Sequence, residues 1–358
     1  MSETRPRRRV LRLVAVAALG LVVIEGALRL RQYRRHGTAD ASVLTRVIDD
    51  VTGRTIPTPN SSVSGIRIDS RSFRGDELEV PKPEGRVRVA FLGGSTTFCA
   101  EASSNATTWP SLVVDALTER ISGRSFDQVN AAVPGYMSLH SRERFEARVV
   151  ELEPDVVVIY HATNDLVHDT REVAEAAGLT VPGVGEPRGL AKWSLTYFLV
   201  QKNLQARARI RRAEAANGQL EIDVEALAAK FERRLTDLVE SAQREVSVVA
   251  VATFAPKVRR SQTPEEQLAN CGTSLFYMPY MTVEGLLDGF DAYNDAIRRV
   301  AERTGAILVE TVGEIPGDAE HYNDSVHFLD PGSRVMASLV AGALADSEPL
   351  RELVSASK

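Results

Sequence analysis

Four polar clusters in this sequence carry side chains able to open an ester. Gly93-Gly94-Ser95-Thr96-Thr97 offers a hydroxyl behind two glycines, where the chain can turn sharply. Asn130-Ala131-Ala132-Val133-Pro134-Gly135 ends in a glycine whose N–H can approach a ligand closely. His161-Ala162-Thr163-Asn164-Asp165 brings a neutral amide, a donor suited to a developing oxyanion. His321-Tyr322-Asn323-Asp324-Ser325-Val326-His327 sets a carboxylate three residues before an imidazole. A serine hydroxyl attacks poorly until a neighbouring base takes its proton. Imidazole titrates near neutral pH and suits that task, and a carboxylate on its other nitrogen fixes the tautomer. Ser95, His327 and Asp324 therefore suffice for acyl transfer.

Other chemistries fit these residues less well. GGSTT lacks the GK[ST] of a phosphate-binding loop. His321, Asp324 and His327 could ligate a metal, but three groups in an irregular loop make a poor closed site. No metal and no cofactor is expected. His321 is a rival base, set aside in favour of His327. His140, His161 and His168 read as structural or surface residues, and Cys99 as a packing residue on the helix face of Ser95.

The elements that must position these groups alternate along the chain. Apolar runs stand at Val87–Leu92, Phe126–Asn130, Asp155–Tyr160, Val246–Phe254 and Ala306–Thr311. Helix-like stretches lie at Pro110–Ile121, Arg142–Glu151, Val224–Glu245, Gly285–Thr304 and Pro331–Ala345. Strands alternating with helices predict βαβ units around a parallel sheet. Nearly all-apolar runs are what strands covered on both faces require. In such sheets ligands bind outside the carboxyl ends of the strands, where all four clusters fall.

The order Ser95, Gly135, Asn164, Asp324-x-x-His327 resembles the SGNH hydrolase superfamily, also called GDSL esterases and lipases, over roughly residues 86–344. The resemblance implies a flavodoxin-like three-layer α/β/α sandwich with a five-stranded parallel sheet. It implies Ser95 as nucleophile, His327 as base and Asp324 as its orienting carboxylate. The implied oxyanion hole is the Ser95 N–H, the Gly135 N–H and the Asn164 side chain. Two departures stand out: Gly94 occupies the place of Asp in the GDS motif, and Ala162 that of Gly in the GxND motif. The FLGGSTTF opening, the NDL run and Tyr293-Asn294-Asp295 look more like membrane-anchored bacterial members than like the secreted lipases of the superfamily.

The bulk numbers agree with an ordinary globular chain of 358 residues, 44% hydrophobic and 25% charged. A formal net charge of −5 gives no sign of nucleic-acid binding. Cys99 and Cys271 exclude a disulfide scaffold and leave two readings, one bridge or two buried thiols. Arginines crowd residues 5–12, an apolar run follows from Leu13 to Ile24, and Arg29, Arg31, Arg34 and Arg35 come after it. A basic flank before an apolar stretch marks an exported N-terminus, read here as a retained signal anchor. The unbroken run is shorter than the ~20 residues that span a bilayer, and reaching that length from Val10 to Leu30 admits Arg12 and Glu25. An amphipathic helix lying on the membrane is the other reading.

The expected organisation is a basic tail and anchor over 1–35, a stalk and lead-in over 36–85, a hydrolase domain over 86–346 and a tail over 347–358. An insertion at 166–222 interrupts the domain. It holds the loop GLTVPGVGEPRG and a helix with Trp193, Tyr197 and Phe198 at one end and Arg207, Arg209, Arg211 and Arg212 at the other. That helix reads as packed on the domain with a solvated basic end, or as a lid or membrane-facing element. No motif is legible in NCGTSLFYMPY, within Lys257–Tyr280. The leading expectation is a single-pass, membrane-anchored esterase outside the cytoplasm that removes an acyl group, acetyl among the candidates, from an envelope glycan or lipid. The alternatives are an acyltransferase using the same three residues and a catalytically idle envelope scaffold.

Overall fold

The computed structural model describes residues 4–36, 46–63, 65–179, 194–201, 204 and 220–356. Each apolar, β-branched run becomes a strand: β1 (Arg86–Gly93), β2 (Ser125–Asn130), β3 (Val156–Tyr160), β4 (Val248–Ala252) and β5 (Ile307–Val309). They form one parallel sheet in the order β2-β1-β3-β4-β5. This is the flavodoxin-like order, whose switch point lies between β1 and β3. The register sets Gly93 opposite Tyr160 and Phe91 opposite Asn130, so the polar clusters after β1, β2 and β3 emerge at one end.

The main helices are α1 (Trp109–Arg120), α2 (Ser138–Arg144), α3 (Thr163–Ala176), α4 (Val224–Glu245), α5 (Val283–Thr304), α6 (Asp330–Asp346) and α7 (Glu348–Ala356). Helices α1, α4, α5 and α6 follow the sequence pattern closely, whereas the helix expected over Arg142–Glu151 leaves α geometry at Arg144 and continues as a π-helix over Phe145–Val149. Asp223 caps α4 by accepting from the Ala226 N–H, and Thr282 caps α5 by accepting from the Gly285 N–H. Helix α1 packs with α6, and α4 packs with α2 and α5. The three central strands, β1, β3 and β4, are buried along almost their whole length, and the edge strands β2 and β5 only in part. At the centre, Trp109 meets Phe91 edge-on at 5.2 Å, while Tyr160 stacks on Phe254 at 5.2 Å.

Three further features depart from the expectations. Helix α3 occupies the start of the 166–222 stretch, and α7 occupies the C-terminal tail. Residues 46–85 hold two short hairpins, and Arg74 in this lead-in is 2% exposed. The thiols of Cys99 and Cys271 are free and buried, so the bridge is not formed.

The amino end of the sheet is closed by charge. Arg88, fully buried, donates to both carboxylate oxygens of Asp127 at 2.9 Å and to the carbonyls of Leu152 and Glu79. Asp155 accepts the Arg88 N–H at 2.7 Å and the Lys82 ammonium at 2.8 Å.

The sheet and its helices form one compact unit, Thr45–Val181 with Arg209–Lys358; Met1–Leu44 and Pro182–Ala208 form another. In the second, Thr4–His36 is a single helix, and Val16, Leu19, Val22 and Val23 are exposed on it. Glu25 accepts the N–H groups of Leu195 and Thr196 at 2.8 and 2.9 Å, both hydroxyls of Ser194 and Thr196, and the Arg29 guanidinium at 2.7 Å. It therefore caps the helical segment that begins at Leu195. Among the described residues no helix is long and apolar enough to cross a membrane. The GLTVPGVGEPRG loop from Thr180 onward, Trp193 and the four arginines Arg207–Arg212 lie outside the described residues.

Candidate active site

Strand β1 delivers Ser95 through two glycines that steric contact demands. A Cβ on Gly93 would lie 2.0 Å from the Thr97 hydroxyl oxygen and 2.8 Å from the Tyr160 carbonyl. A Cβ on Gly94 would lie 2.4 Å from Nδ2 of Asn164 and 3.2 Å from the Tyr136 carbonyl. Ser95 then opens a one-turn helix, Ser95–Phe98, with its side chain half-buried.

The loop after β5 returns to the same point. Nε2 of His327 lies 2.8 Å from Oγ of Ser95, and Nδ1 lies 2.8 Å from Oδ2 of Asp324. Oδ1 of Asp324 also accepts the backbone N–H groups of Val326 and His327 at 2.9 and 3.0 Å, so the three-residue spacing closes a tight turn around the carboxylate. Burial works to raise the Asp324 pKa. The hydrogen bond and charge of His327, with the two N–H donors, outweigh it and hold the carboxyl below its ordinary range. Asp324 is thus the ionised acceptor that a neutral imidazole needs on Nδ1.

Spacing alone does not single out His327, because Asp318 stands three residues before His321 and pairs with it at 2.8 Å. The 2.8 Å contact with Ser95 distinguishes His327. The His321–Asp324–His327 metal grouping is not assembled, since each histidine faces its own aspartate.

Asn164 enters from the start of α3. Its Nδ2 donates one N–H to the Tyr136 carbonyl at 2.9 Å, and a side-chain amide has a second. The same carbonyl sits beside Gly94, so the Gly135–Tyr136 turn, Asn164 and the serine turn converge. Gly135 has φ +91°, a conformation that favours glycine, and it is exposed. A hydroxyl, an imidazole–carboxylate pair and converging N–H donors can together move a proton off an alcohol and hold a developing oxyanion.

Residues 91–335 match the GDSL-like lipase/acylhydrolase family. This chain belongs to that family. It is an esterase of the GDSL type, and both departures from the family motifs have a local reason. Gly94 is required because the Asn164 amide packs where a side chain would begin. Ala162 has φ −178°, outside the left-handed region that would favour glycine.

No curated protein matches the sequence. Among solved structures, the chain is similar to an acetylxylan esterase from Geobacillus stearothermophilus, at 16% identity and a TM-score of 0.46, over 76% of this chain and 99% of that one. It is also similar to an alpha/beta hydrolase from the metagenome of Lake Arreo, Spain, at 18% identity and a TM-score of 0.45, over 73% and 96% of the two chains.

Behind the GDSL-family site lies a buried polar network that sequence reading missed. Asp165 accepts the Ser138 N–H at 3.1 Å and hydroxyl at 2.7 Å, and the Arg234 guanidinium at 3.2 Å. Arg234 forks onto Asp169 at 3.0 and 2.6 Å, and Tyr293 donates to Asp169 at 2.6 Å. The network ties α2, which follows the Gly135 turn, to α3, which carries Asn164, and to α4 and α5. Its partners sit far apart in sequence, and only the Asn164-Asp165 and Tyr293-Asn294-Asp295 motifs hinted at it. His161 is buried against the Ser141 hydroxyl at 2.8 Å, and burial pushes its imidazole down to about 3, a neutral structural residue.

Proposed function

We propose that Ser95 attacks the acyl carbonyl of an ester while His327 takes its proton and passes it to the departing alcohol. Asp324 holds the imidazole throughout. The Ser95 N–H, the Gly135 N–H and the Asn164 amide receive the oxyanion. Water, deprotonated by His327, then releases the acid and restores Ser95. The continuous hydrogen-bonded chain from Asp324 through His327 to Ser95, 2.8 Å at each link, carries this reading. Reaction with a fluorophosphonate tests it: the expected result is a single adduct on Ser95, abolished in Ser95→Ala. Folded protein that gives no adduct would end it.

The substrate in this proposal is an acylated envelope glycan or lipid, with acetyl the first acyl group to test. The supporting feature is the N-terminal segment, whose apolar run Leu13–Ile24 stands between arginine clusters and which we read as a membrane tether with the esterase unit outside the cytoplasm. Glu25, directly after that run, has its carboxylate engaged by Arg29 and by residues 194–196, which lowers the cost of placing it near lipid. p-Nitrophenyl esters of increasing chain length separate the substrate classes: preference for acetate favours glycan decoration, and preference for long chains favours lipid. Carbonate washing and protease protection of membranes holding the full chain test the tether. Release into the soluble fraction contradicts it.

A further inference from the structure

The one-turn helix that carries Ser95 cannot hold itself. A single turn fixes several dihedrals for one hydrogen bond, and its last carbonyls have no partner within it. Each of those carbonyls is met from elsewhere. Beyond the turn's own bond from the Cys99 N–H to Ser95 O at 2.9 Å, Thr96 O accepts the Trp109 indole N–H at 3.1 Å and Thr97 O the Asn130 amide at 3.2 Å. Phe98 O accepts Nη1 of Arg74 at 2.7 Å, and Cys99 O accepts the same nitrogen. The other guanidinium donors reach Ser104 O at 3.2 Å and Oδ1 of Asn105 at 3.0 Å.

The exit of this turn is where the backbone is strained. Cys99 has φ +57°, a left-handed conformation that a residue with a Cβ keeps only when its surroundings impose it. Arg74 grips the carbonyls on both sides of that residue's N–Cα bond. It is 2% exposed, stands over the Phe98 ring at 5.3 Å and donates to carbonyl and amide oxygens, with no carboxylate among its hydrogen-bond acceptors in the described residues. Burying a cation on such terms is costly, and the return is geometry. Arg74 belongs to the lead-in, ahead of the family-matched span 91–335, and its own N–H is tied to the Asn130 carbonyl at 3.3 Å.

Taking Ser95 as the nucleophile proposed above, we infer that Arg74 is a positioning residue for it. By clamping the exit of the Ser95 turn from outside the family core, Arg74 sets the rate of attack. Lysine cannot replace it, because acceptors spread over Phe98, Cys99, Ser104 and Asn105 need a planar fork.

The test measures the rate of Ser95 phosphonylation by a fluorophosphonate, kcat and KM on p-nitrophenyl acetate, and thermal stability. The proteins are the full-length wild type, Arg74→Lys, Asn105→Ala and, as comparator, Arg88→Lys at the far end of β1. A misplacement of the nucleophile by about 1 Å costs up to roughly 10²-fold. The expected result is a 10- to 100-fold slower phosphonylation and kcat in Arg74→Lys with KM within about twofold, and a smaller loss of the same kind in Asn105→Ala. Arg88→Lys should lose stability yet react with the probe at the wild-type rate. Should Arg74→Lys not fold, Asn105→Ala decides. Wild-type phosphonylation rates in folded variants, or equal slowing in Arg88→Lys, overturn the assignment. A wild type that is not labelled at all overturns the nucleophile reading itself.

Discussion

At the amino end of β1, Arg88 meets Asp127 through a two-pronged hydrogen bond, and Asp155 gathers Lys82 and a backbone N–H. At the carboxyl end of the same strand, two glycines leave room for other groups, and Asn164 uses only one of its two amide hydrogens on Tyr136. At one end Arg88, Asp127 and Asp155 find their partners within the fold. The other holds donors beside an exposed glycine turn and a half-buried hydroxyl. The contrast is physical: a fully paired buried cluster adds rigidity, whereas a converging set of N–H groups is ready for charge that arrives with a reacting molecule.

Substitutions at the two ends should therefore fail in different ways. The largest effect belongs to Ser95→Ala or His327→Ala, for which kcat on a p-nitrophenyl ester is expected to fall roughly 10⁴- to 10⁶-fold with the thermal midpoint nearly unchanged. Asn164→Ala comes next, lowering kcat by roughly 10²–10³ at constant stability. Wild-type turnover in that variant would remove Asn164 from the oxyanion site. Arg88→Met reverses the pattern. Stripping the buried Arg88 cation from half-buried Asp127 should cost about 3 kcal/mol in urea unfolding while kcat stays within about twofold. A catalytic defect there would erase the distinction between the ends.

The smallest effect concerns pH. His161 titrates near 3 in the fold and near 6.5 when unfolded, so between those values only the unfolded chain binds its proton. Its contribution is complete above about pH 6.5 and is lost as the pH falls, at roughly 1.4 kcal/mol per unit. Urea titrations at pH 5 and pH 7 should show that slope reduced by about one proton in His161→Gln. An unchanged slope would mean that His161 is not the buried neutral group described.

The strands were legible because their β-branched, nearly uninterrupted apolar runs admit few other structures, and β1 differs from its predicted span by one residue at each end. Helix α4 begins and ends where the pattern placed it, its start fixed by Asp223. Helix α3 was not expected, because its buried face includes Asp165, Asp169 and Thr170, which read as polar. Gly178, with φ +74° just past its end, was the signal that could have closed it. Helix α7 likewise had Ser347 and Pro349 at its start, a usual opening. The positions of Ser95, Asp324 and His327 could be read because their spacing carries the chemistry. Arg74, Arg234 and Arg88 could not, since each is defined by partners distant in sequence.

Trp109 gives this arrangement a spectroscopic consequence. Its indole is fully buried, and its N–H rests on the Thr96 carbonyl, one residue beyond the hydroxyl of Ser95. With Trp193 as the chain's only other tryptophan, ultraviolet emission reports on the turn that presents the serine. A shift in that fluorescence on acylation would let single turnovers be followed by light, without a chromogenic ester.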